Sequence, residues 1–230
     1  MKRGGTLAVA VLTMAACAAA RCGHGTQTGP TMPTVSAGSI SQSPATVGVL
    51  AGTSFTFTAE GFASSNGEQF TYAWDFGDHT QATGGPVVSH RYTLDWPAFN
   101  VSVTATGKSG AWARAVRWGV LVRSLTGHWG IMDSEGNLLL GATDLTQDGT
   151  SVSGADIQRD CRVYVSGRVS APRSVSLAYR REGSGCDPRL PAAFVFSGSA
   201  DDRVGSFLGS MTPGGPARLL VCDEAWECWY

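Results

Sequence analysis

From Phe55 onward the chain alternates apolar and polar residues at a period of two, the pattern that turns one face of an extended strand toward a core. Phe55, Phe57 and Ala59 define one strand. Phe70, Tyr72, Trp74 and Phe76 alternate with Thr71, Ala73 and Asp75 to define another, with Trp74 as its central core ring. Val101, Val103 and Ala105 predict a third, and Val116, Trp118, Val120 and Val122 a fourth, which puts Trp118 in the core. Beyond residue 124 alternating runs recur at 128–133, 138–147, 150–157, 162–169, 173–181, 193–200, 203–211 and 217–222. Asp148-Gly149 between two such runs is a strong two-residue hairpin signal, and Gly136-Asn137 and Asp201-Asp202 are weaker ones. The chain therefore reads as all-β.

Short strands with turn signals between them are what a sandwich in the first half requires. Eight strands joined by short hairpins predict a closed up-and-down barrel in the second. Ser124-Leu125-Thr126 is a short joint, and the residues after it suffice for an independent core. Gly23 to Gly38 is rich in Gly, Thr, Pro and Ser with almost nothing to bury, and reads as a disordered tether of roughly 55 Å reach when extended. The expected organisation is a leader at 1–16, a tether at 17–37, a sandwich domain at 38–123 and a barrel domain at 124–230.

The leader follows from Lys2 and Arg3 ahead of an apolar run, Leu7 to Ala16, that is too short to span a bilayer, the layout of a secretory signal peptide. Met14-Ala15-Ala16-Cys17 resembles a bacterial lipobox, which implies lipidation at Cys17; the alternative is ordinary cleavage near Ala20. Ala18 after the cysteine points to an outer membrane or cell-surface lipoprotein. Of 17 basic residues, losing Lys2 and Arg3 leaves 15 against 18 acidic ones, a net charge of -3. No basic patch is present, so nucleic acid is not an expected partner, and a membrane would be met only through the lipid anchor.

Six cysteines are present. In an exported chain Cys161, Cys186, Cys222 and Cys228 favour disulfides, and four cysteines allow three pairings. Cys161 with Cys186 and Cys222 with Cys228 each close a local loop, the first worth about 3 kcal/mol by chain entropy. The competing metal reading lacks any Cys-x-x-Cys spacing. Cys22 is left over in the tether.

Tyr72-Ala73-Trp74-Asp75-Phe76-Gly77-Asp78, then His90-Arg91-Tyr92 and the run Phe99 to Ala105, resemble a PKD domain, an Ig-like β-sandwich module of secreted and cell-surface proteins. The resemblance covers roughly Gly38 to Arg123. It implies that Asp75 and Asp78 fix a turn through backbone amides and that His90 serves the same turn. His79 departs from it, standing where the family usually has glycine, and Leu94-Asp95-Trp96-Pro97-Ala98 is bulkier than the usual turn. Gly127-His128-Trp129, Leu145-Thr146-Gln147-Asp148-Gly149 and Val152-Ser153-Gly154 are similar to segments of lipocalin-like barrels. That second resemblance implies a basic residue, Arg218, lying over Trp129 at the barrel base. The tail with Trp226, Trp229 and the Cys222 to Cys228 loop departs from it and is expected to plug or cover one barrel end.

No nucleophile–base–orienter set, carboxylate pair across a bond, or Gly-x-Ser-x-Gly, His-Glu-x-x-His or phosphate-loop pattern is recognisable, so neither catalysis nor a cofactor or metal is expected. Asp201-Asp202 and Asp223-Glu224 read as solvated turn residues. Asp75, Asp78, His79 and His90 converge on one turn, where the structural role outweighs a metal site. Seven tryptophans invite a surface reading. Trp96, Trp112, Trp226 and Trp229 fall in loops or near chain ends; Trp96, Trp226 and Trp229 are the ligand-binding candidates, with packing between domains as the plainer explanation. The expected function is non-catalytic binding of an extracellular carbohydrate or protein. The alternatives are a carrier whose barrel holds an apolar ligand against Leu138, Leu140, Leu145, Val152 and Phe194, and an accessory module of a secreted hydrolase.

Overall fold

The computed structural model describes residues 31–46, 48–93, 96–158, 160–170, 172–201, 204–222 and 228. Cys17, Cys22, Leu94, Asp95, Trp226 and Trp229 lie outside the described residues, as does the side chain of Trp96. The described residues hold no helix, and none of them forms a helical span long and apolar enough to cross a membrane.

Ten strands build the first half: β1 (Val35–Ser36), β2 (Ser39–Ser43), β3 (Gly48–Leu50), β4 (Ser54–Glu60), β5 (Ala63–Ser64), β6 (Phe70–Asp75), β7 (Gln81–Gly84), β8 (Val87–Arg91), β9 (Trp96–Gly107) and β10 (Trp112–Arg123). They form a sheet β2-β4-β8 and a sheet β3-β10-β9-β6-β7, with β1 and β5 as a separate short pair. Val35 and Ser36 thus lie in a ladder with Ser64 and Ala63, so the end of the segment read as tether is ordered strand. The two sheets bury Phe55, Phe57, Trp74, Phe76, Val101 and Val103 between them, as alternation requires.

One strand departs from its predicted facing. Trp118 is 72% exposed, whereas Val120 and Val122 are buried. Register with β9 runs unbroken from Trp112 to Arg117 and then slips before Val120. Gly119 sits in this slip at φ 76°, a bulge that takes up one extra residue and reverses the strand's facing. Ala113 and Ala115 fill the core on the near side of the bulge, and Trp112, Arg114, Val116 and Trp118 take the opposite face.

The second half is a closed barrel of β11 (Gly127–Asp133), β12 (Leu138–Asp148), β13 (Ser151–Gln158), β14 (Cys161–Ser170), β15 (Ser174–Glu182), β16 (Ala193–Ala200), β17 (Ser206–Thr212) and β18 (Pro216–Val221). Each strand pairs antiparallel with the next, and β18 returns to β11. The inward side chains pack as one apolar cluster, with Tyr179 stacked on Phe194 at 4.8 Å and Trp129 edge-on to Phe207 at 5.6 Å. Arg218 is exposed between buried Ala217 and Leu219, and pairs in register with Met132, so it faces outward and does not lie over the buried Trp129 ring.

Both expected disulfides are present, Cys161 with Cys186 and Cys222 with Cys228. The first ties the β15–β16 connection to β14, and Leu190 from that connection enters the barrel core. Buried Arg181 donates to the carbonyls of Leu190 (3.0 Å) and Asp187 (3.1 Å), holding the connection in place. The second disulfide lies against Gly130, whose Cβ would come within 2.8 Å of Cys228 Sγ and 2.9 Å of Cys222 Sγ. Trp129 and Ile131 on either side of Gly130 point inward, so this bridge covers the outer wall of β11 and not a barrel mouth.

The halves are joined by more than the covalent link. Leu50 of β3 belongs to the barrel's apolar cluster together with Leu125 of the joint, and its amide donates to Pro172 O at 2.9 Å. Gln147 amide nitrogen donates to Ala51 O at 2.7 Å, and its oxygen accepts from Leu125 N at 2.9 Å. Arg173 Nε donates to Gly48 O at 2.9 Å.

Candidate binding face

The turn after β6 is built as its residues dictate. Asp75 Oδ1 accepts from Gly77 N (2.9 Å), and Asp78 Oδ1 from Thr80 N (3.1 Å). Asp78 Oδ2 lies 2.8 Å from His90 Nε2, and the imidazole stacks on Phe76 at 4.0 Å. Burial alone would raise the Asp78 carboxyl, but hydrogen bonds from Thr80 and His90 outweigh it and hold the group below its ordinary value. His79 adopts φ 69°, the left-handed region that glycine enters freely, which is why a side chain there is a departure. These carboxylates and His90 spend their bonds on the turn. Among the described residues, no group of three or more His, Cys, Asp or Glu is placed to hold a metal ion.

A groove lies beside this turn, on the outward face of the five-stranded sheet. Strand register aligns Gln81, Asp75, Ser102 and Val116 in one row, and Thr83, Ala73, Thr104 and Arg114 in the next. Thr71, Thr106 and Trp112 form a third. Of these, Gln81, Asp75, Ser102, Ala73, Thr104, Arg114, Thr106 and Trp112 line a shallow groove of about 520 Å³. Arg114 Nη2 donates to Ser102 Oγ at 2.9 Å, covering that hydroxyl. Trp112 is 64% exposed at one end. Further along β10 Trp118 stands on the same face, beside Asn100, whose side-chain oxygen accepts from Gly119 N at 3.3 Å.

Of the tryptophans weighed from sequence, Trp74 and Trp129 are core rings, and Trp112 is exposed. Trp118 was missed as a surface residue. Gly119, interrupting an otherwise regular strand, is the signal that could have placed it. Of the five residues expected to line a barrel cavity, Leu140, Leu145, Val152 and Phe194 are packed core and Leu138 is 43% exposed.

Residues 41–117 match the family model of the PKD domain. The matched segment contains every residue that lines the groove and ends within β10, one residue before Trp118. No curated protein sequence matches the chain. Among solved structures, one described as the structural basis for the promiscuous specificity of carbohydrate-binding modules from the β-sandwich superfamily is similar at 13% identity. That likeness covers 82% of this chain and 90% of the other with a TM-score of 0.36, too low to carry an argument about ligand.

Proposed function

We propose that the protein is an exported, non-catalytic surface lipoprotein, acylated at Cys17 and anchored in an outer membrane, whose sandwich and barrel bind an extracellular carbohydrate or protein. The two disulfides support the exported part of this reading, since such bonds persist in oxidising compartments. The observation that carries the binding part is the pair of exposed indoles, Trp112 and Trp118, on one polar sheet face of the PKD-like sandwich. Tryptophan left in water forgoes the burial that usually stabilises it, and it is enriched among residues that anchor partners. Trp96, Trp226 and Trp229 belong to the same proposal as additional anchors. The packed barrel core argues against an apolar carrier. Titrating intrinsic tryptophan fluorescence against soluble glycans, peptidoglycan fragments and a fatty acid tests the reading: a response to glycan or peptidoglycan supports it, and a response confined to the fatty acid overturns it.

A further inference from the structure

The geometry points to the outward face of β10, with its neighbours β9, β6 and β7, as the seat of an extended neutral glycan chain. Trp112 and Trp118 would grip it at two points, and the polar groups between would bond its hydroxyls. This deepens the binding reading above and rests on it.

Position comes first. Trp112, Arg114, Val116 and Trp118 share one face because the bulge at Gly119 follows Trp118 and leaves the alternation before it intact. At about 3.3 Å rise per residue the two indoles are roughly 20 Å apart along the strand. That span exceeds one sugar ring and suits a chain laid along β10. A sugar ring presents a C–H face that packs on an indole and hydroxyls at its rim that require hydrogen bonds, so its binding site must alternate aromatic surface with polar groups.

The groove supplies that alternation. Asp75, Gln81, Thr104 and Arg114 offer a carboxylate, an amide, a hydroxyl and a guanidinium, with Trp112 at the edge. The guanidinium spends one N–H on Ser102 and is otherwise exposed, and Asp75 uses Oδ1 for the turn. Charge chooses among glycans: one cation and one anion line the groove, so neither a polyanionic nor a polycationic chain gains a net attraction. Shape chooses against a protein partner, whose hot spots seat in deep, desolvated pockets, whereas this groove is shallow and polar.

The test is native affinity electrophoresis of the full mature chain through gels containing one polysaccharide each: hydroxyethylcellulose, arabinoxylan and galactomannan as neutral probes, polygalacturonate and heparin as charged ones. Retardation by at least one neutral probe is expected, weakened roughly thirtyfold by Trp112→Ala and by Trp118→Ala. Val195→Ala on the exposed barrel wall should leave it unchanged. Thr104→Tyr, which fills the groove and keeps both indoles, should also abolish it, and circular dichroism melts confirm that each variant folds. Retardation by charged probes alone overturns the inference. Retardation by a neutral probe that survives all three sandwich variants overturns this site while the carbohydrate reading stands. No retardation by any of the five probes overturns both this site and the carbohydrate reading.

Discussion

Tyr179→Phe should stabilise the protein. Tyr179 is 2% exposed inside the barrel, its ring stacked on Phe194, and its hydroxyl has no hydrogen-bond partner among the described residues. A buried hydroxyl without a partner costs about 1–3 kcal/mol. Replacement by Phe keeps the ring and its stacking, removes that cost, and forfeits only the oxygen's dispersion contacts, at about 0.1–0.2 kcal/mol per atom pair. A net gain of about 0.5–2 kcal/mol follows, read as a rise in melting temperature of roughly 2–4 °C per kcal/mol for a unit of this size. Burial also raises the Tyr179 hydroxyl's pKa, and burial followed by the Asp78 and Asp75 carboxylates raises that of Tyr92. A folded pKa above the unfolded value of about 10 gives stability that is complete below pH 10 and lost as pH climbs beyond it. Each such tyrosine contributes about 1.4 kcal/mol per pH unit, so Tyr179→Phe should halve the alkaline slope due to the pair. Urea titrations between pH 7 and 11 measure both effects. A loss of more than about 1 kcal/mol at pH 7 would refute the reasoning by showing that the hydroxyl is well bonded, and an unchanged slope above pH 10 by showing that it ionises as readily in the folded as in the unfolded chain.

Gly130→Ala should cost about 1–3 kcal/mol, because its Cβ would press on both sulfurs of the Cys222–Cys228 bridge and come within 3.2 Å of Leu140 O; thermal melts of the oxidised protein check this. Gln147→Leu should destabilise by about 2–4 kcal/mol, since it strips bonds from Ala51 O and Leu125 N at the sandwich–barrel junction, and limited proteolysis near residues 124–126 should quicken. Cys17→Ser should release the protein from membranes into the medium; cell fractionation decides, and an unmutated protein found soluble with its N-terminus at residue 21 would refute lipidation.

The barrel was the most legible part of the chain. Most of its hairpins are short, and strands such as β14, β15 and β16 alternate regularly, so the period of two fixes both existence and facing there. The run at 193–200, for example, coincides with β16. The PKD-like turn was legible for a different reason: its bonds are local, Asp75 and Asp78 each accepting from the backbone amide two residues on. What failed was anything that depends on one residue's displacement of register or on segments distant in sequence. Trp118 was assigned to the core because its alternation with Val120 and Val122 was carried across Gly119, where the bulge reverses it. Arg218 was set over Trp129 by resemblance, although Ala217 and Leu219 beside it already claim the inward positions.

Leu50 shows the limit most plainly. Its segment Gly48–Leu50 is short and wholly buried, so alternation says nothing about it. In the fold one side of that segment completes the sandwich through Val49, while Leu50 enters the barrel core. A side chain from one half that seats in the core of the other couples them: withdrawing it would expose apolar surface worth roughly 1.5–3 kcal/mol and break the bonds of Gln147 and Arg173 together. A glycan held on β10 is therefore held on a body that includes the barrel. The same strand carries Trp112 and Trp118 on its outer face and pairs through Leu121, Val122 and Arg123 with the segment that ends in Leu50. The outer face that carries the indoles and the junction are thus parts of one strand, and it is the ladder of β10 with β9 that fixes the spacing of the two indoles along it.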